Sequence, residues 1–318
     1  MEPADESTRL SLARSLAPEL VAACAGRLGP IRWFRTDWQR GGAGTGFASW
    51  RDDGNGIEAV VKIPVTAREL RWFRRLGEGR DPPVARLLAS GDELGGRDLA
   101  WIVIERLPHG PLADRWSDAR LDRLVDAAAR FHARAATFAV DRDLEREDWP
   151  ARLAAARKQV HDPTFPQRGR WVAALKDAER RLETTLHRWE ARTPIAWIHG
   201  DLHPANAMSR IGLDEGPATL IDLGEVRPGH WIEDGVYLER LLWVRPPTAP
   251  ATRAPLRALA DARKRHGLEN GEWAPLAACR RFLLAATAPA FAGERSPAFL
   301  GANLERLEAS FRDLPRNP

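Results

Sequence analysis

The hydrophobic rhythm of the chain changes twice. From residue 7 to 28 apolar positions recur at helical spacing, with Leu10, Leu16 and Leu20 as core candidates and Pro18 as a break point. Short segments of a different kind follow: "IRWFRTDWQR" (31–40), "GFASWRDD" (46–53) and "IEAVVKIPV" (57–65). They are rich in β-branched and aromatic residues, and the glycine turns "GGAGTG" and "DDGNG" divide them, which predicts antiparallel hairpins. One amphipathic helix, "TARELRWFRRLGEG", places Leu70, Phe73 and Leu76 on one face, with Thr66 as N-cap and Gly77 as stop. Two further strands fit "VARLLAS" (84–90) and "DLAWIVIERL" (98–107).

After Pro111 the period becomes helical, most clearly over 118–136 and 170–191. A small strand cluster interrupts it at "IAWI" (195–198), "NAMSRI" (206–211) and "ATLID" (218–222), and helices resume at Glu233. The expected architecture is α+β in two lobes. Residues 1–107 would form an N-terminal helix plus an antiparallel five-strand sheet, and residues 108–318 a mainly helical lobe bearing a short hairpin. The boundary is expected near Leu107 to Gly110, with a ligand in the cleft between the lobes.

Composition narrows the classes. Hydrophobic residues make up 44% and charged residues 29%, as in ordinary globular chains. No apolar run is long enough to suggest a membrane span, and the acidic opening "MEPADESTRL" does not read as a secretory signal. Cys24 and Cys279 are too few for a disulfide framework or a zinc site, so a cytoplasmic location is expected. The net charge of +4 is spread along the chain without a basic block interleaved with aromatics, which argues against nucleic-acid binding. Nearly all of the basic residues are arginine. Lys62, Lys158, Lys176 and Lys264 are the only lysines.

"WIHGDLHPANAM" (197–208) holds two histidines, a carboxylate and a carboxamide just past a short apolar strand. A zinc site would need a third ligand at defined spacing. A different chemistry fits better. Asp201 at the strand's end can accept a hydroxyl proton, and the Asn206 amide oxygen is a neutral, hard ligand for Mg²⁺. "TLID" ends a second strand on Asp222, and a hairpin turning at "GLDEGP" would return that carboxylate close to Asn206. Phosphoryl transfer asks for this set, together with a cation on the phosphates. Lys62 in "AVVKIP" supplies one, and a lysine inside an apolar strand needs a partner, for which Glu69 is placed seven residues on.

These motifs resemble the aminoglycoside phosphotransferase and choline kinase branch of the protein-kinase-like superfamily. That branch carries H-G-D-x-x-x-x-N with a following I-D, matched by His199, Gly200, Asp201, Asn206, Ile221 and Asp222. The resemblance implies a kinase fold, ATP (or GTP) with Mg²⁺, and transfer of the γ-phosphoryl group to a hydroxyl of a metabolite or aminoglycoside-like acceptor. By position Asp201 resembles the catalytic base, Asn206 and Asp222 the metal ligands, and Lys62 with Glu69 the phosphate-anchoring pair. The backbone of Glu105 and Leu107 would meet the adenine edge. "GGAGTGF" sits where a phosphate-covering loop would. The chain departs from the family at "RPGHW" (227–231), an insertion before the helix that Asp234 would begin.

Two further readings follow from the residues after Asp222. Trp231, Tyr237 and Trp243 could cage a quaternary ammonium, although core packing is their more usual role. Glu233, Asp234 and Glu239 could hold an amino sugar or simply favour a helix start. A rival function is a non-catalytic kinase-like module that binds nucleotide for regulation. Transfer to a protein side chain is disfavoured, because no "A-P-E"-like segment follows Asp222.

Overall fold

Alternation along a single strand organises the first half of the molecule. In β3 (Asn55–Ile63), Ala59, Val61 and Ile63 enter a buried cluster with Leu16, Leu20, Trp50, Trp101 and Val103. Val60 and Lys62 therefore point to the opposite face. The computed structural model describes residues 13–34, 44–52, 55–79, 81–114, 116–244, 254–294 and 296–314. β1 (Arg32–Phe34), β2 (Gly44–Asp52), β3, β5 (Trp101–Glu105) and β4 (Leu87–Gly91) form an antiparallel sheet in that spatial order. Most of the glycine stretch between β1 and β2, with the loop reading placed on it, lies outside the described residues.

Helix α1 (Ala17–Ala23) covers that core with Leu20; residues 13–15 before a break at Leu16 are also helical, and residues 7–12 of the expected 7–28 lie outside the described residues. It ends where Ala25 and Gly26 take positive φ. Helix α2 (Ala67–Leu76) starts as its sequence predicts: the Glu69 N–H donates to Thr66 Oγ1 at 3.0 Å, and the Gly77 N–H closes the last turn on Phe73 O. The carboxylate of Glu69 reaches back to β3, where it accepts from Lys62 Nζ.

The chain divides into two compact units, Met1–Trp116 with Pro204–Val226, and Ser117–His203 with Arg227–Pro318. These are not the continuous halves 1–107 and 108–318 of the sequence reading. The segment 204–226 belongs with the sheet for a physical reason. Its hairpin, β7 (Ala207–Ser209) and β8 (Ala218–Leu220), is hydrogen-bonded on both sides to first-unit backbone. Ser209 N–H donates to His109 O at 2.7 Å, and Leu220 N–H donates to Pro83 O at 3.2 Å. Gly110, at φ +147, lets this close approach occur, because a Cβ there would lie 2.9 Å from Met208 Cγ.

The second unit is helical: α3 (Asp118–Ala135), α4 (Trp149–Val160), α5 (Arg168–Glu190), α6 (Ile232–Leu241), α7 (Pro255–Arg265), α8 (Ala274–Ala286) and α9 (Pro297–Ser310). Helix α3 packs on α7, and α5 and α9 pack on α8. Among the described residues its one strand pair is β6 (Ala196–Ile198) with β9 (Arg227–Gly229), so the expected strand cluster is instead two separate pairs. The inserted "RPGHW" supplies β9. Buried arginines lie flat on tryptophans here: Arg192 is 4.2 Å from the Trp189 ring centre, and Arg280 is 5.0 Å from that of Trp149. No helix among the described residues is long and apolar enough to cross a membrane.

Thr66→Ala should lower stability by about 1 kcal/mol, read as a fall in the urea midpoint at constant slope. An unchanged midpoint would show that the cap does not hold α2.

Candidate active site

In the first unit the face of β3 opposite the core opens into a cavity of ≈ 420 Å³. Phe34, Phe47 and Val60 form one part of its wall, Glu105, Leu107 and Gly110 another, and Met208, Ile221 and Asp222 come from the hairpin. Lys62 also lines it. The Leu107 N–H and C=O are not hydrogen-bonded to any described residue.

The Lys62 ammonium lies 2.5 Å from Glu69 Oε1 and 3.7 Å from Asp222 Oδ1. Burial works against its charge, but the two carboxylates outweigh burial and raise its pKa above the ordinary lysine value. Asp222 follows β8 in a left-handed backbone conformation, φ +62, which costs a non-glycine residue energy and marks a constrained position. Its side chain is 52% exposed. Ile221 N–H donates to Asn206 O at 3.0 Å, so the open end of the hairpin carries Asn206 on one strand and Asp222 just past the other. A carboxylate and an amide oxygen are hard donors of the kind Mg²⁺ takes together with phosphate oxygens and water. These residues fit such an ion.

The Glu105 N–H donates to Arg86 O at 2.9 Å. Its carboxylate accepts from Arg210 Nη2 at 2.5 Å, from Arg210 Nε at 3.1 Å and from the Arg86 N–H at 2.7 Å. Arg210, just past β7, also donates to Thr219 Oγ1 at 2.9 Å. The ion pair joins the end of β5 to the hairpin.

In the second unit Asp201 lies in the loop after β6, and one buried carboxylate on α6 holds that loop. Asp234, 1% exposed, accepts from the His199 N–H at 2.9 Å, the Gly200 N–H at 2.8 Å and His132 Nε2 at 2.9 Å. Burial pushes Asp234 up, but these donors outweigh it and hold its pKa below the usual carboxylate range. His132 is neutral for a matching reason. Burial lowers its pKa, and its Nδ1 is buried with no partner among the described residues, so a second proton there would be stranded.

Asp201 Oδ1 accepts from the Tyr237 hydroxyl at 2.8 Å, and Oδ2 is 3.3 Å from His203 Nε2. Burial alone would raise Asp201, yet the contacts with His203, Tyr237 and His199 prevail and bring it to about 2. It is a carboxylate throughout the neutral range.

Residues 37–279 match the phosphotransferase enzyme family. The chain belongs to that family. No curated protein matches it. Three solved structures illustrate the fold that this phosphotransferase shares. An aminoglycoside phosphotransferase from Alicyclobacillus acidocaldarius is 15% identical with a TM-score of 0.55, covering 98% of this chain and 93% of its own. A choline/ethanolamine kinase family protein from Mesorhizobium loti is 13% identical with a TM-score of 0.54, covering 95% and 94%. Spectinomycin phosphotransferase, solved with ADP and spectinomycin, is 11% identical with a TM-score of 0.54, covering 98% and 95%. The fold is the protein-kinase-like one, and the family is one of phosphotransferases.

Of the residues singled out in the sequence, Lys62, Glu69 and Asp222 meet in the first unit, and Glu105 and Leu107 line the cavity that Lys62 and Asp222 also line. Asn206 pairs by its backbone with Ile221, and Asp201 lies in the second unit. The aromatic cage does not form: Trp231 and Trp243 are buried, and Tyr237 bonds to Asp201. Nor do the acids after Asp222 await an ammonium. Glu233 is held by Arg192 and Arg227, and Glu239 by Arg281. Sequence reasoning missed Arg210 and the anchoring role of Asp234, because partners more than thirty residues away in sequence leave no local pattern.

His230, buried beside Arg263 and Arg192, has its pKa lowered by burial to about 4. Between about 4 and the ordinary 6.5 the unfolded chain therefore binds a proton that the folded chain refuses. That share of stability is complete above 6.5 and is lost as pH falls through 4. The thermal midpoint should drop on acidification over that window and drop less in His230→Gln. Equal slopes in the two proteins would remove His230 as a source.

Proposed function

We propose that this phosphotransferase transfers the γ-phosphoryl group of ATP to a hydroxyl of a small molecule. The observation that carries the reading is the Lys62 ammonium, held charged by Glu69 and Asp222 at the edge of a cavity of ≈ 420 Å³. That volume suits a nucleobase with part of its ribose. Leu107 offers it a donor and an acceptor, as an adenine edge requires, while Phe47, Val60, Met208 and Ile221 give the cavity apolar lining for the base.

Lys62 then binds phosphate oxygens, with Glu69 fixing its position. Asn206 and Asp222 would hold a magnesium ion, which when bound neutralises charge on the phosphates. Asp201 takes the acceptor side of the reaction. At a pKa of about 2 it is a weak base, so its main contribution is to accept a hydrogen bond from the acceptor hydroxyl and orient it. Its proton is taken late, which suits a loose transition state with little nucleophile deprotonation. A cytoplasmic setting, where Mg·ATP is abundant, agrees with the two buried free thiols, Cys24 and Cys279.

Asp201→Asn should lower turnover by roughly 100-fold or more while Mg·ATP affinity stays near wild type. Lys62→Ala and Asp222→Ala should weaken binding of a non-hydrolysable Mg·ATP analogue in calorimetry. The acceptor is sought by thermal shift against hydroxyl metabolites and aminoglycosides with that analogue present, followed by phosphate transfer to each hit. Failure of the wild-type protein to bind the analogue, or full turnover by Asp201→Asn, would overturn the assignment.

A further inference from the structure

We propose that Tyr237 is a positioning residue for Asp201, locking the plane of its carboxylate by donating to Oδ1 while His203 borders Oδ2. The inference rests on the reading of Asp201 as the acceptor-side residue. Tyr237 is the sole tyrosine of the chain, and its hydroxyl is 2.8 Å from Asp201 Oδ1.

Its place on the helix explains the effect. Asp234 and Tyr237 are three residues apart on α6, so their side chains emerge from the same face. Asp234 fixes the backbone of the loop through the His199 and Gly200 amides. It leaves the last torsion of the Asp201 side chain free, and that torsion is broad and nearly two-fold in an aspartate. Tyr237 supplies the missing constraint one turn further along. The two contacts together give the carboxylate a set direction, so that its remaining lone pairs are held for an acceptor hydroxyl. Orientation gained before the reaction lowers the barrier only if it is held during it, and a hydrogen bond to a charged oxygen is strong enough to hold it.

The test compares wild type, Tyr237→Phe, Asp201→Asn and the double variant, all checked for an unchanged thermal midpoint, in phosphate release from Mg·ATP with water as acceptor. Tyr237→Phe should lower kcat roughly 10- to 100-fold with the KM for ATP within about twofold. The same change in the Asp201→Asn background should cost less than about threefold, because the carboxylate it positions is gone. An equal loss in both backgrounds would make Tyr237 merely structural and overturn the proposal. If Asp201→Asn keeps wild-type kcat, the reading of Asp201 fails instead. If only Tyr237→Phe keeps it, the positioning role alone fails. A readout without turnover uses ¹³Cζ-labelled tyrosine, which gives one resonance in this chain: it should move in Asp201→Ala, and a resonance left in place would also overturn the proposal.

Discussion

A single buried carboxylate carries the second unit's chemistry. Asp234 has almost no contact with water, and a bare charge in that setting is expensive. It is stable because two successive loop amides and an imidazole give it the donors that water would otherwise supply. The dependence runs both ways. The loop has no regular secondary structure to satisfy the amides of His199 and Gly200, so the carboxylate that needs donors and the backbone that needs acceptors fix each other. Everything said about Asp201 presupposes that exchange.

The first unit solves a comparable problem with backbone rather than charge. The segment 109–110 and the strip 83–85 run against the β7–β8 hairpin, and Gly110 removes the one side-chain atom that would keep them apart. Arg210 adds a fork of hydrogen bonds from the hairpin to Glu105. Cavity wall and hairpin thus form one body, so Asn206 and Asp222 are carried on the same frame as the Lys62–Glu69 pair.

Much of this was legible in the chain. Short runs rich in β-branched and aromatic residues overlap each of the five sheet strands, and the Thr66 cap and Gly77 stop bounded α2 to the residue. Lys62 stood out because lysine is scarce, and its contact with Glu69 follows from a strand interior seven residues before a capped helix start. What was illegible shares one cause. Strand β9 is "RPG", with a proline and a glycine that weigh against a strand, and it forms because β6 offers an unpaired edge. The assignment of 204–226 to the first unit likewise depends on pairing with residues about a hundred positions earlier. Tyr237 could be read only as an aromatic; its bond to Asp201 depends on how α6 is rotated.

The arginine excess first reads as a compositional habit. In the second unit it has become structural, since Arg192 and Arg280 are sandwiched between indoles and carboxylates in the interior. A flat, weakly hydrated guanidinium can stack on a ring and bond sideways at once, whereas a compact ammonium cannot do both. Exchange of arginine for lysine would therefore be absorbed on the outside of this molecule and resisted at these interior positions, where the shape of the cation matters as much as its charge.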